Sequence, residues 1–158
     1  MARVKKALPY FIAILIGVLI SYFVNFYFHP VEVQGDSMNP TFESGDIVKC
    51  DIDFELSEIK RGEVVIFKRG LKPYIKRVIA IPGDTVSVNN GYICINDEIC
   101  PFFKDRIVEP GILDLSEIIL SDNEFFCVGD NVNHSSDSRE FGPVNFESIK
   151  YIVKKKLF

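Results

Sequence analysis

The chain has 158 residues, which is enough for one domain beside an N-terminal anchor but not for several domains. Its formal net charge of −4 gives no indication of a nucleic-acid partner, and its one basic run, Lys154-Lys155-Lys156, is interpreted as a solvated terminus. The four cysteines form no Cys-x-x-Cys pair and have no neighbouring histidines, which argues against a zinc site. No metal and no organic cofactor are expected.

The first predicted element is a transmembrane helix over residues 7–28. No charged residue interrupts this run, and a helix of this length spans roughly 33 Å, against about 30 Å for the hydrocarbon core of a bilayer. A cleavable signal peptide is the competing interpretation, but its apolar region would be shorter and would end in a small-x-small site. Bulky residues follow here instead, so we expect an uncleaved anchor.

The charges on either side of the anchor predict its orientation. Arg3, Lys5 and Lys6 precede it, whereas residues 29–48 contain no lysine or arginine. The positive-inside rule therefore places residues 1–6 in the cytoplasm and residues 29–158 outside it. The protein would be a single-pass protein of the cell membrane, with the lipid bilayer as a partner.

The domain after the anchor reads as mostly β, an antiparallel and barrel-like sheet. Short segments rich in Val, Ile, Tyr and Phe alternate with Gly, Asn and Asp, which is typical of strands and turns. The predicted strands are 31–34, 46–50, 64–68, 74–81, 85–89, 92–95, 125–128 and 151–155. Single helical turns are predicted at 57–60 and 145–149.

Ser37 and Lys76 are the candidate catalytic residues. A serine hydroxyl needs a base to become a useful nucleophile. A lysine amine can be that base if burial lowers its pKa from about 10.4 toward 7–8, because desolvation disfavours the ammonium. On spacing alone an ordinary solvated lysine is the stronger interpretation, and Ser37 with His134 and Asp137 could instead form a Ser-His-Asp triad.

Several ordered segments decide between these interpretations. They are Gly35–Thr41, Arg61–Phe67, Tyr74–Asp84 and the stretch from Gly129 to Arg139. In this order and behind an anchor, they resemble the sequence boxes of bacterial type I signal peptidases, the Ser–Lys membrane proteases that remove signal peptides from exported proteins. Glu63 stands where aspartate is commoner in that family, and Ala80 stands where glycine is usual.

The resemblance implies a role for each matching residue. Ser37 would be the nucleophile, Lys76 the general base, and Ser135 would hydrogen-bond the lysine amine. Asp137 and Arg139 would form an ion pair that braces their loop, and Gly129-Asp130-Asn131 would be a structural turn.

Gly35 occupies a position where some family members use a hydroxyl side chain in the oxyanion hole. The Ser37 amide, helped by the Gly35 amide or by water, would then have to bind the oxyanion.

The resemblance also implies a substrate groove with bulky apolar walls, which would admit only small side chains and give a small-x-small cleavage rule. Its residues would be Val31, Val33, Met38, Val48, Tyr74 and Ile75. An extended substrate could pair with a sheet edge near residues 31–34 or 73–75. Preproteins that bear a signal peptide would be the partners, and proximity to the secretion translocon is expected.

Two rival functions remain open at this point. One is a related Ser–Lys peptidase with a dedicated substrate; the other is an anchored β-module that has lost activity. Cys94 and Cys100 flank a predicted three-residue loop, Asn96-Asp97-Glu98, where a disulfide is feasible outside the cytoplasm and buried thiols are the alternative.

Overall fold

The computed structural model describes residues 2–104 and 115–158, without the side chains of residues 2–8 and 25–28. Helix α1 spans Ala2–Phe28, and the side chains of residues 9–24 are all exposed. Counting the residues that are described, no helix combines the length and the apolar character needed to cross a membrane. The side chains at both ends of the predicted anchor, and those of residues 1–6, lie outside the described set.

The described residues after α1 form eleven strands and one short helix, α2 (Ser138–Phe141). The strands are β1 (Pro30–Glu32), β2 (Ile47–Asp51), β3 (Val64–Arg69), β4 (Lys72–Ala80), β5 (Thr85–Asn89), β6 (Tyr92–Ile95), β7 (Glu98–Ile99), β8 (Ile118–Ile119), β9 (Glu124–Val128), β10 (Val144–Asn145) and β11 (Ile149–Lys156). Single 3₁₀ turns occur at Leu56–Glu58, Val132–His134 and Phe146–Ser148.

The strands are arranged in two antiparallel sheets. The main sheet has the order β1-β2-β11-β3-β4-β9-β10, and the smaller sheet has the order β7-β6-β5-β8. Because β4 runs directly into β5, the smaller sheet lies beyond the C-terminal end of β4. The prediction of a mostly β, antiparallel domain is confirmed.

Strand β3 is covered on both faces from Val64 to Phe67, which explains the continuous apolar sequence of these four residues. Val65 and Phe67 of β3 pack in one buried cluster, whereas Val64 and Ile66 pack in another. Strand β4 contributes to both clusters and, through Ile79, to a third that joins the two sheets. The centre of β4, where Lys76 lies, is thus among the most enclosed backbone of the domain.

The prediction of a three-residue loop between Cys94 and Cys100 is wrong. Asn96 and Asp97 both have positive φ, 51° and 66°, and form a two-residue turn, so that Cys94 pairs with Ile99 rather than with Cys100. Since side chains alternate across a strand, Cys94 and Cys100 point to opposite faces of the hairpin. Both are free thiols, and Cys100 is buried in the core.

Candidate active site

Ser37 and Lys76 are in direct contact. Ser37 lies in the turn after β1, and Lys76 lies in the middle of β4, 39 positions later in the chain. Lys76 Nζ donates a hydrogen bond of 2.6 Å to Ser37 Oγ and another of 2.9 Å to the carbonyl oxygen of Ile75. The second bond holds the amine in the orientation that the first requires.

Burial favours the neutral form of this amine. Lys76 is only 3% exposed, and desolvation lowers the pKa of its amine, although the negative charge of Asp137 opposes the shift. The Tyr74 ring centroid lies 5.9 Å from Nζ, and the neighbouring thiol of Cys127 is fully buried. A neutral Lys76 amine has a lone pair that can accept the Ser37 hydroxyl proton across the same 2.6 Å contact.

The turn that carries Ser37 is held in place from outside its own segment. The amide of Asn131 donates to the Ser37 carbonyl oxygen at 3.0 Å, and the Asn131 side chain donates to the Asp36 carbonyl oxygen at 3.1 Å. The segment 129–131, interpreted from sequence as a structural turn, therefore directly contacts the turn that carries Ser37.

Arg77 is a site residue that sequence reasoning missed. Its guanidinium donates to both carboxylate oxygens of Asp130, at 2.8 and 2.6 Å, and to the carbonyl oxygen of Gly62 at 2.6 Å. Thr41, at the end of the nucleophile turn, also donates to Asp130. Side chains alternate across a strand, so Arg77 points to the opposite face of β4 from Lys76. The sequence feature that could have identified it is its position next to Lys76 in the Tyr74–Asp84 segment.

Gly129 is required because no side chain fits between Ser135 and the Ser37 backbone. A Cβ atom there would lie 2.1 Å from Ser135 Oγ and 2.5 Å from the Ser37 carbonyl oxygen. We expect Gly129→Ala to lower the free energy of unfolding by about 1–3 kcal/mol through overpacking, measured by urea denaturation. Gly17→Ala is the matched control, since nothing lies within 4 Å of its added Cβ. Equal stability of the two variants would contradict the expected clash.

Asp137 and Arg139 form a buried ion pair beside the dyad. Arg139 donates from Nε and Nη2 to the two Asp137 oxygens, each at 2.8 Å, and the side chains are 3% and 1% exposed. Asp137 also accepts the Gly129 amide at 3.0 Å, and Arg139 also donates to the Val132 carbonyl oxygen at 2.6 Å. The pair thereby ties together the two ends of the loop that contacts Ser37.

This arrangement does not support the alternative Ser-His-Asp triad. His134 is exposed, and the described contacts of the Asp137 carboxylate go to Arg139 and to the Gly129 amide. A triad carboxylate would instead orient the imidazole. Of the two candidate bases, Lys76 is the one that the described structure places within hydrogen-bonding distance of Ser37 Oγ.

In the described structure, two of the supporting residues do not make the contacts expected of them. Ser135 Oγ is buried against Gly129 and has no hydrogen-bond partner within residues 2–104 and 115–158. The Gly35 amide, considered above as an oxyanion donor, donates to Ser44 Oγ at 3.2 Å. Gly35 has φ of 85°, a conformation that glycine adopts without strain.

A cleft of about 260 Å³ opens directly in front of the dyad. One wall comes from residues 31–34 at the end of β1, and the other from residues 73–76 at the start of β4. Val31, Val33, Tyr74 and Ile75, four of the residues named for the substrate groove, line this cleft together with Ser37 and Lys76.

The cleft differs from the predicted groove at its floor. Met38 and Val48 do not line it; they are fully buried behind the wall, in the cluster that contains Val33 and Ile75. Ile66 and Ser136, which sequence reasoning missed, take part in the lining. Ile66 could have been found because it directly faces Ile75 in the β3–β4 pairing.

The chain is similar in sequence to known signal peptidases. The family described as "Signal peptidase, peptidase S26" matches residues 4–155. The chain is 34% identical over 151 residues to signal peptidase I S of Bacillus subtilis (strain 168), covering 87% of this chain and 81% of that protein. It is 31% identical to signal peptidase I V of the same organism, covering 91% of this chain and 95% of that protein.

A solved structure shares the fold. The crystal structure of a signal peptidase I from Enterococcus faecalis V583 matches with a TM-score of 0.51 at 22% identity, covering 66% of this chain and 100% of that chain. One further relative, an inactive signal peptidase IA of Staphylococcus aureus (strain N315), is 26% identical and covers 92% of this chain and 88% of its own length.

Proposed function

The chain belongs to the signal peptidase family, peptidase S26, and is a serine-type peptidase; from this premise we propose that it removes signal peptides from exported preproteins with a Ser37–Lys76 dyad. The observation that supports the dyad most directly is the 2.6 Å contact between Lys76 Nζ and Ser37 Oγ. Neither residue has a competing acid–base partner in the described part of the site, since Asp137 is engaged with Arg139.

The proposed reaction has two halves. Neutral Lys76 takes the Ser37 hydroxyl proton as the oxygen attacks the peptide carbonyl carbon, and the resulting ammonium gives this proton to the leaving amine. The acyl-enzyme ester then reacts with a water molecule, whose proton again passes to Lys76 while its oxygen bonds to the carbonyl carbon. The ester bond breaks, Ser37 recovers its proton, and no cofactor is consumed.

Two further groups are proposed to support this chemistry. The Ser37 amide is the oxyanion donor, because the Gly35 amide is already bonded to Ser44. Ser135 would orient the amine, as predicted from sequence. Its buried hydroxyl lacks a partner in the described structure, and an unsatisfied buried hydroxyl is costly, so it is available for such a bond.

The cleft is proposed to set the small-x-small rule. Its volume of about 260 Å³ lies below the usual range for ligand pockets, and its apolar walls leave space for short side chains. An extended substrate could run between residues 31–34 and 73–75. Strand β1 is the edge of its sheet, and β4 pairs with β9 only from Arg77 onward, so each wall has one edge free of strand pairing in the described structure.

We also propose that residues 7–28 anchor the domain in the cell membrane, with residues 1–6 in the cytoplasm and residues 29–158 outside. The support is the uncharged sequence run, the helical backbone of α1 and the exposure of its side chains at residues 9–24. Residue 29 already bonds to β2, through its carbonyl oxygen and the Cys50 amide. The dyad would then lie close to the outer leaflet, where signal peptides emerge near the translocon.

The test is cleavage of a preprotein with an Ala-x-Ala site by the full chain in detergent, compared with Ser37→Ala. We expect wild type to cut after the second alanine of the site and folded Ser37→Ala to be inactive, with the product identified by mass spectrometry. Met38→Leu, a change of similar volume behind the cleft wall, is the control and should cut at the same position. Absence of cleavage by folded wild type, tested on several unrelated preproteins, would favour a dedicated substrate or a binding role.

A further inference from the structure

The tip of the β3–β4 hairpin combines a bare apolar side chain with a cluster of positive charge. Leu71 is 100% exposed, and it lies between Lys68, Arg69 and Lys72 with no acidic residue from 68 to 76. We name residues 68–72 the basic tip. A single exposed leucine is common on protein surfaces, so the relevant feature is its place among three cations at the projecting end of a hairpin.

Strand pairing places the basic tip at the end of the sheet from which α1 departs. Strand β1 begins at Pro30, directly after α1, and Pro30 pairs with Lys49 near the C-terminal end of β2. Alternating directions then bring the start of β11 to this end, where Ile149 pairs with Phe67 of β3. The chain continues past Phe67 into the basic tip, so the tip projects from the same end as the anchor.

The basic tip itself has three cations and no acidic residue, which favours an anionic partner. The Arg69 guanidinium lies over the Phe141 ring at 4.8 Å, which fixes its stem while leaving the residue exposed. The acidic residues of the adjoining elements are Glu140, Glu147, Asp51 and Asp53, and the Asp51 carboxylate lies 3.9 Å from Lys154 Nζ. Ile52, between Asp51 and Asp53, is itself 50% exposed.

We propose that the basic tip docks onto the anionic phospholipid surface beside the anchor. Leu71 enters the boundary between headgroups and acyl chains, and the three cations contact phosphates, a combination that binds membranes through apolar burial and charge together. This inference rests on the proposed anchor. Its consequence is positional: the cleft wall begins at Pro73, one residue beyond the tip, so docking holds the mouth of the cleft at a fixed height above the bilayer.

Tryptophan fluorescence tests the contact, because the chain contains no tryptophan. Leu71→Trp is introduced into the full chain, which is reconstituted into vesicles of equal parts phosphatidylglycerol and phosphatidylcholine. We expect a blue-shifted emission and at least twofold quenching by lipids with brominated acyl chains. Ile119→Trp is the control: that side chain is 68% exposed but lies on β8, beyond the far end of β4, and should not be quenched.

The charge dependence separates a lipid contact from simple proximity. Lys68→Glu with Lys72→Glu, in the Leu71→Trp chain, should reduce the quenching in phosphatidylglycerol vesicles to near the Ile119→Trp level. Added salt should also reduce the quenching of Leu71→Trp in the chain that keeps Lys68 and Lys72, because salt screens the charges. Unquenched Leu71→Trp, or quenching that ignores both charge and lipid composition, would overturn the proposal.

The same samples distinguish failure of this inference from failure of the proposed function. Full preprotein cleavage without quenching would overturn only the docking of the tip, and would leave the hairpin as a surface for a protein partner. Quenching without cleavage would support the docking of the tip and count only against the proposed general removal of signal peptides.

Discussion

Replacing Lys76 with methionine is expected to lower kcat/KM for an Ala-x-Ala preprotein by about 10²–10⁴-fold, the usual contribution of a general base. Methionine approximates the length of the lysine stem, and its thioether is tolerated in apolar surroundings, so the fold should persist. Because Lys76 is 3% exposed, removing its charge also removes a desolvation cost. The variant should therefore be at least as stable as wild type while being nearly inactive.

The pH dependence of wild type follows from the same burial. Only the neutral amine can accept the Ser37 proton, so kcat/KM should rise with pH through the folded-state pKa of Lys76 and then level off. Burial lowers that pKa below the ordinary lysine value of about 10.4, so the plateau begins at a lower pH than a solvated lysine would give.

The free energy of unfolding should also rise with pH, between the folded-state and unfolded-state pKa values of Lys76. In this window the unfolded chain binds more protons than the folded chain, so the free energy of unfolding rises with pH. Below the folded-state pKa both forms are protonated and this contribution is constant. Lys76→Met should lack the effect.

Rates and unfolding curves measured from pH 5 to pH 10 would check both expectations. If Lys76→Met kept the wild-type rate and the wild-type pH profile, the base would lie elsewhere. His134→Ala would then be the variant to examine, because His134 is the other candidate base named from the sequence.

The parts of the structure that could be predicted are those with local signals. Apolar, β-branched segments such as Val64–Arg69 and Thr85–Asn89 were located to within about one residue, because burial on one or both faces leaves a strong pattern. Ser37 and Lys76 were found through ordered motifs. The two residues lie 39 positions apart in the sequence. Their contact depends on how the main sheet brings the end of β1 close to β4, which no local pattern specifies.

The missed elements are short and depend on distant partners. Strands β7, β8 and β10 have two residues each, too few to show alternation, and they exist because neighbouring strands pair with them. The misjudged hairpin has a physical cause as well. Glu98 extends a strand because Asn96 and Asp97 both tolerate positive φ and complete the turn between them.

The ion pairs were predictable only in part. Asp137 and Arg139 are two residues apart within one motif, so their pairing could be expected. Arg77 and Asp130 are 53 residues apart, and either could have been a solvated surface charge.

Arg139→Met is expected to lower the free energy of unfolding by about 3–5 kcal/mol, because it leaves the Asp137 carboxylate buried and without its counter-charge. Asp137 is 0% exposed and, among the described residues, would keep only the Gly129 amide and the Arg139 amide as partners. Lys154→Met is the control. It also breaks an ion pair, with Asp51, but both side chains are exposed, at 43% and 42%, so the loss should be about 0–1 kcal/mol.

A double variant, Asp137→Leu with Arg139→Met, separates stability from positioning. Replacing a buried ion pair by apolar side chains is often neutral or stabilising, so urea denaturation should recover most of the lost free energy. Activity should not recover, because the Gly129 amide loses its acceptor and the loop that contacts Ser37 loses the tie to Val132. Recovery of both would mean that packing alone positions the loop. Loss of both after the double replacement would mean that the ion pair is needed for this loop to fold at all.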